Sequence, residues 1–204
     1  MSWIQSYTGK QIFPLEPNRN EYDIEDIAHA LSMTCRFNGH CKEFYSVGLH
    51  SLYVMELVAE HTNSTKTLMV ALLHDASEAY ISDLSRPVKG AIQEYKEIES
   101  RLQLAIYRDL ILDFDDSDID FDLIKDADNF ALKQEQAYLM NSSDHEWGDI
   151  PIYTEFELTL PEYLKRFWNM IPHYTDVKND FTDEFEELFI EMKINEEEME
   201  YIDE

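Results

Sequence analysis

Apolar residues recur at three- and four-residue spacing along most of this chain, and this period limits the possible folds more than any other feature. From Asp23, the segment DIEDIAHALSMTCRF places Ile24, Ile27 and Leu31 on one helical face. No stretch of useful length alternates polar and apolar residues as a half-buried strand does. The pattern therefore predicts helices and no extended sheet.

The scarcity of residues that interrupt helices supports the same prediction. The 204 residues include five Gly and six Pro, the two residue types that most often break regular elements. This length is sufficient to bury one substantial hydrophobic core without help from disulfides. We predict an all-α fold, a compact multi-helix bundle in which residues 1–204 form a single domain.

Capping residues and proline predict the approximate bounds of the helices. Ser46 suits the N-cap of the helix that carries His50, and Pro87 suits the first turn of another. The first predicted helix runs from Asp23 to near Arg36, the second begins at Ser46 and carries His50, and the third includes Leu68–Leu73 and leads to His74 and Asp75. Further helices are predicted over residues 87–110, around Asp128, and in the acidic region at about 158–195. Residues 196–204 are predicted to form a frayed tail.

The net charge of −27 lies mostly in the second half of the chain. Residues 1–110 carry 10 Lys and Arg against 15 Asp and Glu, whereas residues 111–204 carry 6 against 28. Duplex nucleic acids and anionic membranes require a broad basic face, which this composition excludes. No segment has the apolar length of a membrane span or a signal peptide. We therefore expect a cytoplasmic protein with a small-molecule partner.

Two histidines and two aspartates fall at buried helical positions. His50 alone is more often a hydrogen-bonded core residue than a metal ligand, but His74 and Asp75 follow directly on an apolar helix. Asp128 stands between apolar neighbours on another helix. Buried carboxylates are costly unless they are paired or bind a cation, and this donor set suits a divalent metal.

Glu78 adds a further acidic group to this constellation. It lies four residues after His74 and three after Asp75, so on one continuous helix the three side chains would share a face. This spacing predicts that Glu78 handles a proton beside the metal.

Three segments, GLHSLYVM, ALLHDASEAYISDLSRPVKG and IKDADNF, resemble the successive motifs of HD-domain metal-dependent phosphohydrolases. The resemblance covers roughly residues 23–135. The HDASE and PVK segments are most similar to the bacterial 5'-deoxynucleotidase branch. The upstream DIEDIAHALSMTCRFNGH resembles small HD-domain proteins common in phages, some of which hydrolyse deoxynucleoside triphosphates.

The resemblance implies roles for individual residues. The sequence differs from the deoxynucleotidase branch at two positions, where this chain has Phe37 in place of a tryptophan and Arg86 in place of a small hydroxyl residue. The implied metal ligands are His50, His74, Asp75 and Asp128, the implied catalytic residues are Glu78 and Asp83, and the candidate substrate-binding residues are Arg36, Phe37, His40, Arg86 and Lys89.

The resemblance also implies the cofactor and the substrate class. The cofactor would be a divalent ion such as Mn, Co, Zn or Mg. The leading expectation is hydrolysis of deoxyribonucleoside 5'-monophosphates to deoxynucleoside and phosphate. The alternatives are a deoxynucleoside triphosphohydrolase that releases triphosphate, which Arg86 and RFNGH favour, and a non-enzymatic nucleotide sensor or acidic interaction protein. A phage-encoded protein would act in the host cytoplasm.

Two further points stay open at the level of sequence. Trp147, Tyr153, Phe167 and Trp168 are candidates for a base-stacking pocket, although aromatic residues at helical spacing more often belong to the core. Small proteins of the resembled branch often act as dimers, so a homo-oligomer is an alternative to a monomer.

Overall fold

The chain folds into a bundle of α-helices, which confirms the all-α prediction. The computed structural model describes residues 2–145 and 147–202. A two-stranded antiparallel hairpin, β1 (Ile4–Gln5) and β2 (Gln11–Ile12), precedes the helices. The helices are α1 (Ile24–Met33), α2 (Val47–Ala59), α3 (Thr65–Leu72), α4 (Glu78–Ile81), α5 (Arg86–Ala91), α6 (Gln93–Leu110), α7 (Phe121–Leu139), α8 (Leu160–Phe167) and α9 (Tyr174–Ile202).

Helix α2 lies at the centre of the bundle and is buried on nearly every side. It packs against α1, α3, α7 and α9, as expected for a helix that is apolar all round. The long acidic helix α9 covers α1 and α3 and buries one stripe at helical spacing. That stripe consists of Val177, Phe181, Phe185, Leu188 and Met192.

Short polar side chains begin several helices. The Ser46 hydroxyl accepts a hydrogen bond from the Leu49 N–H, which confirms the predicted N-cap of α2. Asp23 caps α1 in the same manner. These caps satisfy backbone donors that a helix start leaves free.

The first helix ends earlier than predicted, at Met33 rather than near Arg36. The chain instead pairs with the segment that leads into α2, because the Val47 N–H donates to the Thr34 carbonyl and the Arg36 N–H donates to the Tyr45 carbonyl. Arg36 begins a 3-10 turn that ends at Gly39. The predicted substrate residue Arg36 is therefore held by a loop rather than by a helix.

The third predicted helix is interrupted, which corrects the geometry expected for Glu78. Helix α3 ends at Leu72, residues 73–77 form a turn, and Glu78 begins the separate helix α4. The Gln103 side chain of α6 fixes this turn by donating to the Leu73 carbonyl and accepting from the Ser77 N–H. His74, Asp75 and Glu78 thus do not share one continuous helical face.

Two other predicted bounds differ from the structure. Residues 87–110 do not form one helix, because Ile92 takes an extended backbone between α5 and α6. The last helix continues to Ile202, past the predicted limit of residue 195, and residues 203 and 204 of the predicted frayed tail lie outside the described residues. Within the part of the chain described, no helix has the length and apolarity of a membrane span.

Candidate metal centre

Four side chains from three parts of the fold converge at one point. His50 comes from α2, His74 and Asp75 from the turn after α3, and Asp128 from α7. The Nε2 atoms of His50 and His74 are 3.3 Å apart. One ligand atom each from His50, His74 and Asp128 lie within 4.8 Å of one another. The structure therefore brings together the donors that the sequence singled out.

Asp75 and Asp128 both approach the same imidazole nitrogen. The Asp75 Oδ2 atom lies 3.7 Å from His50 Nε2 and 3.3 Å from His74 Nε2. The Asp128 Oδ1 atom lies 3.4 Å from His50 Nε2. Two imidazole nitrogens and two carboxylates thus surround a single small volume, a donor set that suits a divalent transition metal.

The other ring nitrogens define how the two imidazoles are oriented. His50 Nδ1 lies 2.6 Å from the Glu135 carboxylate, and His74 Nδ1 lies 2.8 Å from the Ala71 carbonyl oxygen. Both partners are hydrogen-bond acceptors, so each Nδ1 carries the proton. The Nε2 atoms of the two imidazoles then face each other and the carboxylates of Asp75 and Asp128. A bound cation, or a second proton on His50, would satisfy this arrangement.

The pKa values of His50 and Asp128 are shifted by the negative charge that is concentrated at this point. Burial and the Arg36 charge oppose protonation of His50, but the Glu135 and Asp128 carboxylates outweigh them and raise its pKa to about 9. Burial would raise the pKa of Asp128, yet the hydrogen bond and charge of His50 hold it well below the usual range. In the absence of metal, a proton held by His50 would therefore partly balance the negative charge of these carboxylates. The residues present fit a divalent cation, which would replace that proton.

Arg36 lies beside the four donors. The residue is 9% exposed, and its NH1 atom is 3.5 Å from Asp75 Oδ2. The next two residues, Phe37 and Asn38, have φ values of 54° and 52°, a left-handed conformation that costs residues with a Cβ about 1–3 kcal/mol each. The loop thus adopts an unfavourable backbone where it presents Arg36 and Phe37 to the site.

Glu135 is a buried site residue that the sequence analysis missed. It lies on α7, seven residues after Asp128, and is 0% exposed. One carboxylate oxygen contacts His50 Nδ1 at 2.6 Å, and the other accepts a hydrogen bond from Arg36 Nε at 3.1 Å. Its position seven residues after Asp128, two helical turns on the same face, is the signal that could have indicated it.

A cavity of about 1040 Å³ is lined by three of the four donors, His74, Asp75 and Asp128, whereas His50 is fully buried. Its wall includes every catalytic and substrate-binding residue that the sequence analysis proposed, as well as cationic and aromatic residues that it did not propose for the site. The proposed residues on the wall are Arg36, Phe37, His40, Glu78, Asp83, Arg86 and Lys89, and the additional ones include Lys125, Phe121 and Tyr107.

Glu78 has the environment of a group that holds a proton. It is 5% exposed, and within the described residues its Oε2 atom has no hydrogen-bond partner. Burial, reinforced by the charges of Asp75 and Asp83, raises the pKa of Glu78 well above its ordinary value. Burial likewise raises the pKa of Asp83. Although Glu78 lies on its own short helix, it faces the same cavity as the metal donors.

Cationic side chains cluster on one side of this cavity. Arg86 NH2 donates to Asp128 Oδ2 and to Asn129 Oδ1, both at 3.2 Å. Lys125 Nζ lies 2.6 Å from the same Asp128 oxygen. Lys89 pairs with Glu99 of α6. Arg86 and Lys125 are both largely exposed, so their charges can reach a ligand in the cavity.

The aromatic candidates separate into two groups. Trp147 lies on the cavity wall, with its ring centroid 6.0 Å from that of Phe37. Tyr153, Phe167 and Trp168 are not among the described residues that line the cavity. Phe167 and Trp168 pack on Tyr163 instead. Of the four aromatic residues that the sequence offered for base stacking, the structure brings Trp147 alone to the site.

Two bacterial proteins share sequence with this chain, although no protein-family model matches it. The chain is 37% identical over 106 residues to the uncharacterized protein YfdR of Escherichia coli, an alignment that covers 52% of this chain and 57% of that protein. It is 38% identical over 111 residues to an uncharacterized protein of Rhodobacter capsulatus, with the same coverage. The chain therefore spans little more than half the length of the curated relatives it matches.

Proposed function

We propose that this protein is a metal-dependent phosphohydrolase of the HD-domain type that acts on deoxyribonucleoside 5'-phosphates in the cytoplasm. The observation that carries the proposal is the approach of two imidazole Nε2 atoms to 3.3 Å, beside two carboxylates. The sequence motifs on which these four residues stand provide independent support. The leading substrate class is the deoxyribonucleoside 5'-monophosphates.

His50, His74, Asp75 and Asp128 would hold the divalent metal. Bound there, a divalent cation supplies a Lewis acid for a phosphoryl group and lowers the pKa of water. Because His74, Asp75 and Asp128 line the cavity, a metal held there would face a ligand bound in it.

The protein's own residues would bind the phosphate and move the proton. Arg36, fixed by Glu135, faces the metal donors with a rigid guanidinium that suits phosphate oxygens. Arg86 and Lys125 add positive charge on the side of Asp128. Burial and the charge of Asp75 raise the pKa of Glu78, which favours the protonated form that would protonate the departing 5' oxygen. The charge of Asp83 is one of the causes that raise the pKa of Glu78, so the two carboxylates would act on the same proton.

A deoxynucleoside triphosphohydrolase is the second candidate. Three observations favour it: the cavity of about 1040 Å³, the exposed Arg86 and the exposed Lys125. A monophosphate bound at Arg36 and the metal would leave Arg86 and Lys125, whose side chains are exposed beside Asp128, to bind further phosphate groups. This reaction would release intact triphosphate rather than phosphate.

A product assay tests both candidates. Metal-stripped protein is resupplied separately with Mn, Co, Zn or Mg and incubated with each deoxynucleoside mono- and triphosphate, and the products are resolved by chromatography. We expect metal-dependent release of phosphate or triphosphate that the His74→Ala/Asp75→Ala variant loses. The matched control is His173→Ala/Asp176→Ala, which removes an exposed His and Asp at the start of α9. Absence of release with any metal and any substrate would overturn the proposal.

A further inference from the structure

Glu135 is a charged residue in a place where packing alone would favour an apolar one. It lies on the inner face of α7 together with the buried residues Ala127, Ala131 and Leu139, and its side chain is fully buried. Burying a carboxylate is strongly unfavourable unless partners compensate. Both of its oxygens have partners, and both partners belong to the candidate metal centre.

The first partner is the metal ligand His50. The imidazole ring lies between two carboxylates of the same helix, with Nδ1 facing Glu135 at 2.6 Å and Nε2 facing Asp128 at 3.4 Å. Because a carboxylate only accepts hydrogen bonds, Glu135 fixes the proton on Nδ1. The Nε2 lone pair is then directed to the centre of the donor set, which is the role of an outer carboxylate in many metal sites.

The second partner is Arg36. Its Nε donates to the other oxygen of Glu135 at 3.1 Å, which leaves the terminal NH1 nitrogen directed towards Asp75. The 3-10 turn that carries Arg36 has an unfavourable backbone at Phe37, so local geometry does not by itself favour this orientation. The contact with Glu135 supplies the missing constraint.

We propose that Glu135 is a positioning residue that sets two groups at once, the metal ligand His50 and the phosphate-binding Arg36. One rigid carboxylate thereby fixes the distance between the metal and the cation that receives the phosphate. This inference rests on the proposed function. It adds a residue that touches neither metal nor substrate and yet determines the affinity for both.

Replacement by glutamine tests the proposal because the shape is retained while one acceptor becomes a donor. His50 Nδ1 and Arg36 Nε donate to different oxygens of Glu135, and in the same conformation glutamine presents an oxygen to one of them and an NH2 group to the other. The Glu135→Gln variant must therefore lose the Arg36 contact or invert the His50 tautomer. Loss of such an outer partner costs about 10- to 100-fold in metal affinity.

The experiment measures two affinities on the full chain. Mn affinity is determined by calorimetry on metal-stripped protein, and inorganic phosphate affinity is determined on the Mn-loaded protein. We expect Glu135→Gln to weaken Mn binding about 10- to 100-fold and to weaken phosphate binding about 10-fold or more. The matched control is Asp26→Asn, a buried carboxylate of α1 that accepts two hydrogen bonds from Thr8 away from the cavity. The Asp26→Asn variant should bind Mn and inorganic phosphate with the affinities of the unmodified protein.

The outcomes separate this inference from the proposed function. Unchanged affinities in Glu135→Gln, or a loss of Mn affinity without a loss of phosphate affinity, would overturn the double role. Failure of the unmodified protein to bind Mn would overturn the proposed function, and the inference with it. If the Glu135→Gln variant does not fold, nitrogen NMR of the Zn-loaded, unmodified protein still tests the inference, because it shows which ring nitrogen of His50 carries the proton. A proton on His50 Nδ1 supports the inference, and a proton on Nε2 overturns it.

Discussion

Glu184 on α9 should make the stability of this protein fall as pH rises from about 4.5 to about 7. Partial burial, together with neighbouring carboxylates of which Glu56 is foremost, raises the pKa of Glu184 to about 7 from an ordinary 4.5. Below the ordinary value the group is protonated in both the folded and the unfolded chain. Between the two values the unfolded chain ionises while the folded chain keeps its proton. The free energy of unfolding therefore decreases across this window and stays reduced above it.

The size of this effect follows from the two pKa values. A difference between 4.5 and about 7 corresponds to about 3 kcal/mol without screening. Because the side chain is only partly buried, solvent screening reduces the expected effect to about 1 kcal/mol. The Glu184→Gln variant lacks the ionisable group, so it should be more stable than the unmodified protein by about 1 kcal/mol at about pH 8. The difference should shrink at about pH 5.

Urea denaturation of metal-free protein at the two pH values measures this difference. Glu186→Gln is the matched control, because it makes the same charge change on the exposed face of the same helix. The control separates the local effect from general relief of the charge of −27. If both variants gained stability equally, or if Glu184→Gln gained as much at the lower pH, the reasoning would be refuted.

Three further predictions concern close packing, an anchored loop and the metal. Gly48→Ala should lower the free energy of unfolding, measured by urea denaturation, by about 1–3 kcal/mol, because a Cβ there would lie 3.2 Å from the Leu31 backbone. The control Gly90→Ala should not lower it, because a Cβ at that position meets open space. Asp126→Ala should lower the free energy of unfolding by about 2 kcal/mol. The Thr154 amide in the loop before α8 donates to that carboxylate, so it should also lose its protection from hydrogen exchange. Mn at about 100 times its Kd should increase the free energy of unfolding by about 2.7 kcal/mol and raise the Tm by roughly 5–10 °C. The His74→Ala/Asp75→Ala variant should show no rise in Tm.

The elements of this fold could be predicted from sequence because their signals are local. The apolar spacing after Asp23 and the cap at Ser46 lie within a few residues of the helices that they begin. The metal donors could be proposed because a charged pair directly after an apolar helix, His74 and Asp75, conflicts with burial. These features need no knowledge of tertiary contacts.

The features that sequence did not predict depend on distant partners. Glu135 reads as an ordinary helical glutamate, and its partners His50 and Arg36 stand 85 and 99 residues away. The turn that separates α3 from α4 is held by Gln103, which lies 26 residues beyond Ser77. Continuous helical periodicity therefore predicted the wrong geometry for Glu78. Such contacts arise only when the bundle assembles.

The position of a bound metal tests the central claim most directly. Crystals of the protein soaked in Mn would be measured for anomalous scattering from that metal. The account predicts one strong peak between the Nε2 atoms of His50 and His74 and the carboxylates of Asp75 and Asp128. A peak elsewhere, or no peak at this point, would contradict it.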